Sequence, residues 1–445
     1  MTWQLTRLSD FLTEREGRIK SKDANVLGLQ RIKKINFSGQ IHLDLETDTK
    51  TDMIRVCNGD LVISGINAEK GAIAVYVGDD DVLATIHYSA YQFNPDLISV
   101  EFLNWLFKSP EFALLLKEQV AGGIKTELKA KHILPLQIRI PSLADQQIIA
   151  ERLNLFRIEQ LKIGYEIDRQ EKLARHLRVS ILDEALQGKL TVNWREEHPS
   201  CEPVTELLSS IEQKKTALFF DKKTRPEKPI AKIKSDEIPF NIPDSWQWCR
   251  LGSIIQEKPR NGVSLKPVNY PTNVKSLKLS ATSSGVFDGS QSKYLDIIVM
   301  DDSYLWLKDG DILIQRANSL ELVGTAAVFR GRSLEYIYPD LIMKIRPIIE
   351  SSTNYIHSVL LAEFTRNYYQ QNATGAAGNM PKINQETVIN TLIPLPPIQE
   401  QMAITELISK CSVTISSLED TITSSRFNLK NLGDAVLEEA FSQVS

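Results

Sequence analysis

The chain has little with which to do chemistry. Its four cysteines, Cys57, Cys201, Cys249 and Cys411, are scattered at no pairing or metal-binding spacing. That excludes a disulfide framework and points to a reducing cytoplasm. The six histidines stand alone as well, so each reads as a packing or surface residue and no metal site is supported. No run approaches the ~18 consecutive apolar residues of a membrane span, and Met1-Thr2-Trp3-Gln4 opens no signal peptide. There is no Gly-rich phosphate loop ending in Gly-Lys-Ser/Thr, no Gly-x-Ser-x-Gly elbow and no His-Glu-x-x-His pair. Asn94-Pro95-Asp96-Leu97 is the nearest match to the loop of an adenine methyltransferase, and it lacks the second proline and the aromatic ring. Pro110-Glu111 followed by Glu127-Leu128-Lys129 has the spacing of a metal-dependent nuclease, but the repeat counterpart around Lys382-Ile383-Asn384 has no such residues. The chain reads as a binder, not a catalyst.

What is present is an ordinary globular composition, 42% apolar and 24% charged over 445 residues, with room for two or three domains. A net charge of −4 sits awkwardly with nucleic-acid binding, which calls for a basic footprint. The charge is segregated, however. Arg15, Arg18, Lys20, Lys22, Arg31, Lys33 and Lys34 lie near the N-terminus, and Lys125, Lys129 and Lys131 follow Gly122-Gly123. Lys258, Arg260, Lys266, Lys275 and Lys278 share a stretch with a single acid, Glu257. Any one such run is ordinarily a solvated face, and the Lys-Pro-rich stretch from Lys214 to Lys234 reads as a linker preceded by a helix.

The dominant feature is a repeat. Ile138 to Gln187 aligns without a gap on Ile393 to Ser442, an offset of 255 residues. Both copies carry heptads. Stepping 4-3-4-3 from Ile149 gives Leu153, Phe156, Gln160, Ile163, Ile167, Gln170, Ala174, Leu177 and Ile181. The second copy gives Ile404, Ile408, Cys411, Ile415, Leu418, Ile422, Ser425, Leu429, Leu432 and Val436. A seam held in phase over several heptads asks for a partner helix, and the other copy is the obvious one. Gln170 and Ser425 fall at one repeat position, where a polar residue fixes register. Asp145 and Glu400 place an acid in each first turn, which suits the helix dipole, and Gln187-Gly188 offers a C-cap. The intervening parts repeat more loosely. Trp3-Gln4 with Arg7-Leu8 matches Trp246-Gln247 with Arg250-Leu251, and Asn58-Gly59-Asp60 matches Asp309-Gly310-Asp311. The glycine loop Ala121-Gly122-Gly123 matches Ala376-Ala377-Gly378, with Gly375 beside it. Offsets of 243, 251 and 255 for these features mean that the globular parts diverged by insertion while the helices did not.

The expected architecture is therefore α+β. Two mixed α/β domains, each with a small twisted sheet and with helices near Val100–Gln119 and Asn354–Asn372, are separated by two long antiparallel coiled-coil helices in a pseudo-twofold repeat. The boundaries read as 1–142, helix 143–190, basic helical linker 191–244, 245–394, and helix 395–445.

Two variable domains alternating with two duplicated coils resemble the specificity subunit of type I DNA restriction–modification enzymes over essentially the whole chain. The elements most specific to the resemblance are Ile393-Pro394-Leu395-Pro396-Pro397-Ile398-Gln399-Glu400-Gln401, Leu182 to Leu190, and Ile242-Pro243-Asp244-Ser245-Trp246-Gln247-Trp248 with Leu251-Gly252. The first copy departs at Ser142-Leu143-Ala144-Asp145-Gln146, which keeps helix-start chemistry. The resemblance implies that each domain reads one half of a split DNA sequence while the helices set the spacing. It implies docking of two modification (methyltransferase) subunits, with restriction subunits added. It also implies that S-adenosylmethionine, ATP and Mg are held by those partners and none by this chain. The DNA contacts expected on this reading are Lys20, Lys33, Lys34, Lys125 and Lys129 in the first domain. In the second they are Arg260, Lys266, Lys278, Arg316 and Lys382. Trp3, Trp246 and Trp248 read as core anchors. Two other readings stay open: the specificity subunit of a two-component type II system, and a coiled-coil adaptor presenting two protein-binding domains.

Overall fold

Each heptad segment forms one uninterrupted helix. The computed structural model describes residues 2–36, 39–44, 50–67, 72–119, 129–220, 230–375 and 380–444. In it the helices run Leu143–Leu186 and Ile398–Phe441, 44 residues each. Proline ends the strand before each one, at Pro141 and at Pro396-Pro397. Ser142 Oγ accepts from the Asp145 amide at 3.2 Å, a side-chain cap for an otherwise unpaired donor. The first helix stops at Gly188, whose φ of 71° closes the last turn through Gly188 N to Ala185 O at 3.1 Å and Lys189 N to Glu184 O at 2.9 Å.

The chain divides into two compact units, Met1–Gln170 with Thr421–Ser445, and Glu171–Asp420, so each long helix contributes to both. In the first unit Gln4–Arg7 pairs antiparallel with Gln137–Ile140, which delivers the chain to the first long helix. An antiparallel sheet runs in the order Leu12–Glu14, Tyr88–Phe93, Leu61–Ser64, Ile73–Val75. A second sheet runs Arg18–Ile19, Met53–Val56, Val82–Thr85, Arg31–Ile35, Ile41–Asp44, and in it Arg31 pairs parallel with Leu83. Helices Val100–Leu106 and Pro110–Gln119 bury Phe102, Leu103, Leu106, Phe112 and Leu115 in one core with Leu8, Leu61, Ile149, Leu153 and Phe441. The long-helix ends are thus part of the domain core.

The second unit repeats this plan. Gln247–Arg250 pairs with Leu392–Leu395. A four-stranded sheet runs Arg260–Asn261, Ile342–Ile345, Ile312–Gln315, Ala326–Val328, the same order as in the first unit. A three-stranded sheet runs Ser292–Leu295, Val274–Leu277, Tyr336–Ile337, with Lys275 pairing parallel with Tyr336. The pair Arg18–Ile19 and Met53–Val56 is what the first unit adds. Helices Thr353–Leu361 and Glu363–Gln371 match the sequence expectation. Part of the stretch read as linker belongs to this core. Val204, Leu207 and Ile211 of helix Val204–Phe220 are buried with Ala185, Leu186, Trp246 and Ile404.

Both units begin their central strand with the same turn. Gly59 and Gly310 take φ of 84° and 85°, the left-handed region that favours glycine. The following Asp60 and Asp311 are buried. Asp60 accepts from Cys57 N and Asp311 from Lys308 N, each at 2.8 Å. Each also receives a two-pronged arginine, Arg15 at 2.6 and 2.8 Å and Arg346 at 2.6 and 2.8 Å. A buried carboxylate survives because its lone pairs are met by charged donors.

Within each unit the long helices pair antiparallel. In the first unit Gln160 Nε2 donates to Leu429 O at 3.2 Å, and Arg426 bridges to Asp168 at 2.7 Å. In the second, Arg178 bridges to Glu419 at 2.9 Å. Ile149, Leu153, Ile167, Ile404, Ile415 and Ile422 are buried as the heptads require, and Phe156, Ile181, Ile408, Leu429 and Val436 are half-buried. Four expected seam residues are not in the seam: Ile163, Leu177, Leu418 and Leu432 are 48%, 45%, 43% and 50% exposed. Gln170 and Ser425 are exposed too. The contact line instead passes through Gly164, Arg178, Glu419 and Gly433, one residue further on. A straight helix turns every 3.6 residues, so a strict 3.5-residue pattern drifts off its partner. Two successive four-residue steps, from Phe156 through Gln160 to Gly164 and from Cys411 through Ile415 to Glu419, take up the difference. Gln160 is a polar residue of this contact line, bonded across it to Leu429 O.

Candidate nucleic-acid interface

In the second unit four loops converge at one end of the four-stranded sheet. Strand Ile312–Gln315 leaves the sheet there, with Gln315 opposite Ile342 and Arg316 N donating to Leu341 O at 2.8 Å. The chain after Asn261 leaves at the same end, with Gly262 N donating to Ile342 O at 3.3 Å and Ser264 Oγ bonding Asp340. Gln315 Nε2 reaches the turn at Leu279–Ser283. Ile383 N donates to Arg316 O at 2.9 Å, which brings in the segment before helix Gln385–Ile389. These loops carry Lys266, Lys278, Arg316 and Lys382. Lys266, Lys278 and Lys382 are exposed and make no ion pair among the described residues; Arg316 is half-buried. Arg260 is not brought to this edge. It lies within its strand, bound to Glu257 at 2.6 Å and stacked over Tyr304 at 4.8 Å.

In the first unit Lys33 and Lys34 are both exposed on strand Arg31–Ile35, where strict alternation would hide one of them. A bulge between Ile32 and Lys34 explains it, because the extra residue lets Ile32 and Ile35 both face the core. Lys33 lies 3.9 Å from Asp44. Arg31 pairs parallel with Leu83 as Lys275 pairs with Tyr336, but the bulge leaves Lys34 one ladder position short of Lys278, which lies past the end of its strand. Lys20 and Lys129 are exposed at the starts of helices Ser21–Leu27 and Ala130–Ile133. Lys125, Gly122, Gly123 and Gly378 lie outside the described residues; Gly375 is exposed.

Sequence reasoning missed which cations are already committed. Arg15 reads as part of a basic cluster but closes the buried Asp60 turn. Lys275 is held by Glu335 at 2.8 Å, which raises its pKa. Lys344 is buried under Tyr338 and donates to Tyr304 O and Trp306 O; burial pushes it down to about 8 despite Asp311 nearby. The tryptophans pack as expected. Trp246 is buried with Nε1 donating to Glu400 at 2.8 Å, Trp248 meets Phe240 and Phe364, and Trp3 meets Phe102. Among the described residues no cluster of His, Cys, Asp and Glu could hold a metal, and no helix is long and apolar enough to cross a membrane. What this edge can do is bind a polyanion through its exposed ammonium groups and the half-buried Arg316 guanidinium.

Residues 243–424 match the family model for the type I restriction modification DNA specificity domain. The chain is 28% identical over 270 residues to the specificity subunit of the type I restriction enzyme EcoEI of Escherichia coli, covering 60% of this chain and 45% of that protein. It is 23% identical to the EcoAI specificity subunit of Escherichia coli over 92% of this chain and 76% of that one. A chain from a solved type I restriction–modification assembly has the same fold, with a TM-score of 0.62 at 16% identity over 99% of this chain and 97% of that chain.

Proposed function

We propose, for a chain that belongs to the family of type I restriction–modification specificity subunits, that it reads a bipartite DNA sequence, one half with each sheet-built domain. The domains are residues 1–142 and 245–394. The long helices Leu143–Leu186 and Ile398–Phe441 set the spacing between the halves and dock two methyltransferase subunits. The chain itself catalyses nothing. S-adenosylmethionine is bound by the methyltransferases, and ATP and Mg by the restriction subunits. The observation that carries the reading is the edge where Lys266, Lys278, Arg316 and Lys382 gather. Three exposed ammonium groups with no acidic partner among the described residues suit phosphate neutralisation, not internal stability.

The test is binding of the full chain to duplex DNA across a salt series. Affinity falls steeply as salt rises, and Lys278→Ala and Lys382→Ala each lower the slope of log K against log salt by about 0.9. A complex indifferent to salt and to duplex sequence would instead support a protein-binding adaptor.

A further inference from the structure

Gln315 is fully buried at the point where its strand leaves the sheet. Its amide nitrogen lies 3.0 Å from Leu279 O, 2.9 Å from Thr282 Oγ1 and 3.0 Å from Ser283 Oγ, all in the turn that Lys278 opens. Its amide oxygen accepts from Asn318 Nδ2 at 2.6 Å, on the loop that Arg316 opens. One side chain therefore ties two loops together, donating to one and accepting from the other. A primary amide does both from one side chain, with its donor and acceptor on separate atoms. Glutamate would set a carboxylate against the Leu279 carbonyl, and methionine would fill the space and bond neither loop. In the first unit the matching position is Ser64, opposite Tyr88 as Gln315 is opposite Ile342. Its hydroxyl is too short for such a span.

Resting on the DNA reading proposed above, we infer that Gln315 is a positioning residue for base readout by the second unit. It touches no DNA. It fixes the turn at Lys278–Ser283 and the loop at Arg316–Asn318 before DNA arrives, so their contacts to base edges carry no ordering cost on binding. Among the described residues the first unit has no such clamp at this position, so its readout is independent of Gln315.

The experiment is selection of bound duplexes from a randomised pool by the full chain, at one salt concentration, for the native chain, Gln315→Met and Gln315→Glu. The native chain selects a bipartite sequence. Both variants lose about tenfold or more of the base discrimination at one half-site, the scale of one well-placed base contact, and keep the other half-site and the salt slope. Variants that select the same bases with native discrimination overturn the inference. So do variants in which both halves fade together, since that marks a merely structural residue. A native chain that enriches no bipartite sequence counts against the DNA reading itself, and that failure shows before any substitution is made.

Discussion

At the scale of single residues, the two copies of the helix start show how one position acquires different work. Asp145 keeps to the local task, accepting from Ser142 Oγ at 2.9 Å in the first turn. Glu400, its repeat counterpart, is buried and gathers Trp246 Nε1 at 2.8 Å, Thr191 Oγ1 at 2.7 Å and Arg195 Nη1 at 2.6 Å. Glu400→Ala strands a mostly buried guanidinium and an indole N–H, and should cost about 3 kcal/mol. Asp145→Ala removes only a helix-start charge and should cost about 0.5–1 kcal/mol. Calorimetric unfolding of the full chain, which reports both units, separates the two; equal shifts would mean that the Glu400 cluster adds nothing. Sequence reading reached the helix-start acid but not the cluster, because Thr191, Arg195 and Trp246 lie far from Glu400 along the chain. The Gly-Asp turns behave the same way. Their local signature was legible, while Arg15 and Arg346 arrive from different strands and carry no mark of their destination.

At the scale of elements, the helices and their antiparallel pairing were legible because periodicity records them, although the expected spans 143–190 and 395–445 overran helices that end at Leu186 and begin at Ile398. The phase of the seam was not legible. Ile163 and Leu177 continue a 4-3 count yet face solvent, and Gly164 takes the contact instead, where an added Cβ would lie 3.9 Å from Leu429. The four-residue steps place backbone, not an aliphatic side chain, at the crossing, and a count of apolar residues cannot register a glycine as a contact. The seam drawn here predicts that Ile163→Gln changes stability by under about 0.5 kcal/mol, as an exposed substitution does. Ile167→Gln, which buries an unpartnered amide in place of an apolar contact, should cost about 2–4 kcal/mol. Urea midpoints of the two variants decide it, and a larger loss at Ile163 would restore the strict heptad.

At the scale of the whole molecule, duplication left the frame recognisable and the reading edges different. Arg316 is matched by Gly65, and Lys129 by Asn384. Offsets between repeats locate the domains, but the exposed cations of the second unit stand at positions where the first unit carries other residues, so no repeat match marks them. Each long helix, by contrast, is shared by both units, and that makes its length a quantity open to manipulation. Asp168 pairs with Arg426 across the helices, so a seven-residue insertion after Asp168 and another after Ser425 open opposite each other. Seven residues are two coiled-coil turns and return the seam to phase. At 1.5 Å per residue they add about 10 Å, or about three base pairs at 3.4 Å each. The lengthened chain should select the same two half-sites from a randomised duplex pool with about three more base pairs between them. Altered half-sites, or a gap left unchanged in a chain that still binds, would mean that the helices do not measure the distance. An insertion in one helix alone breaks the pairing and should abolish selection of both halves together, which distinguishes a ruler made of two matched helices from a tether made of either one.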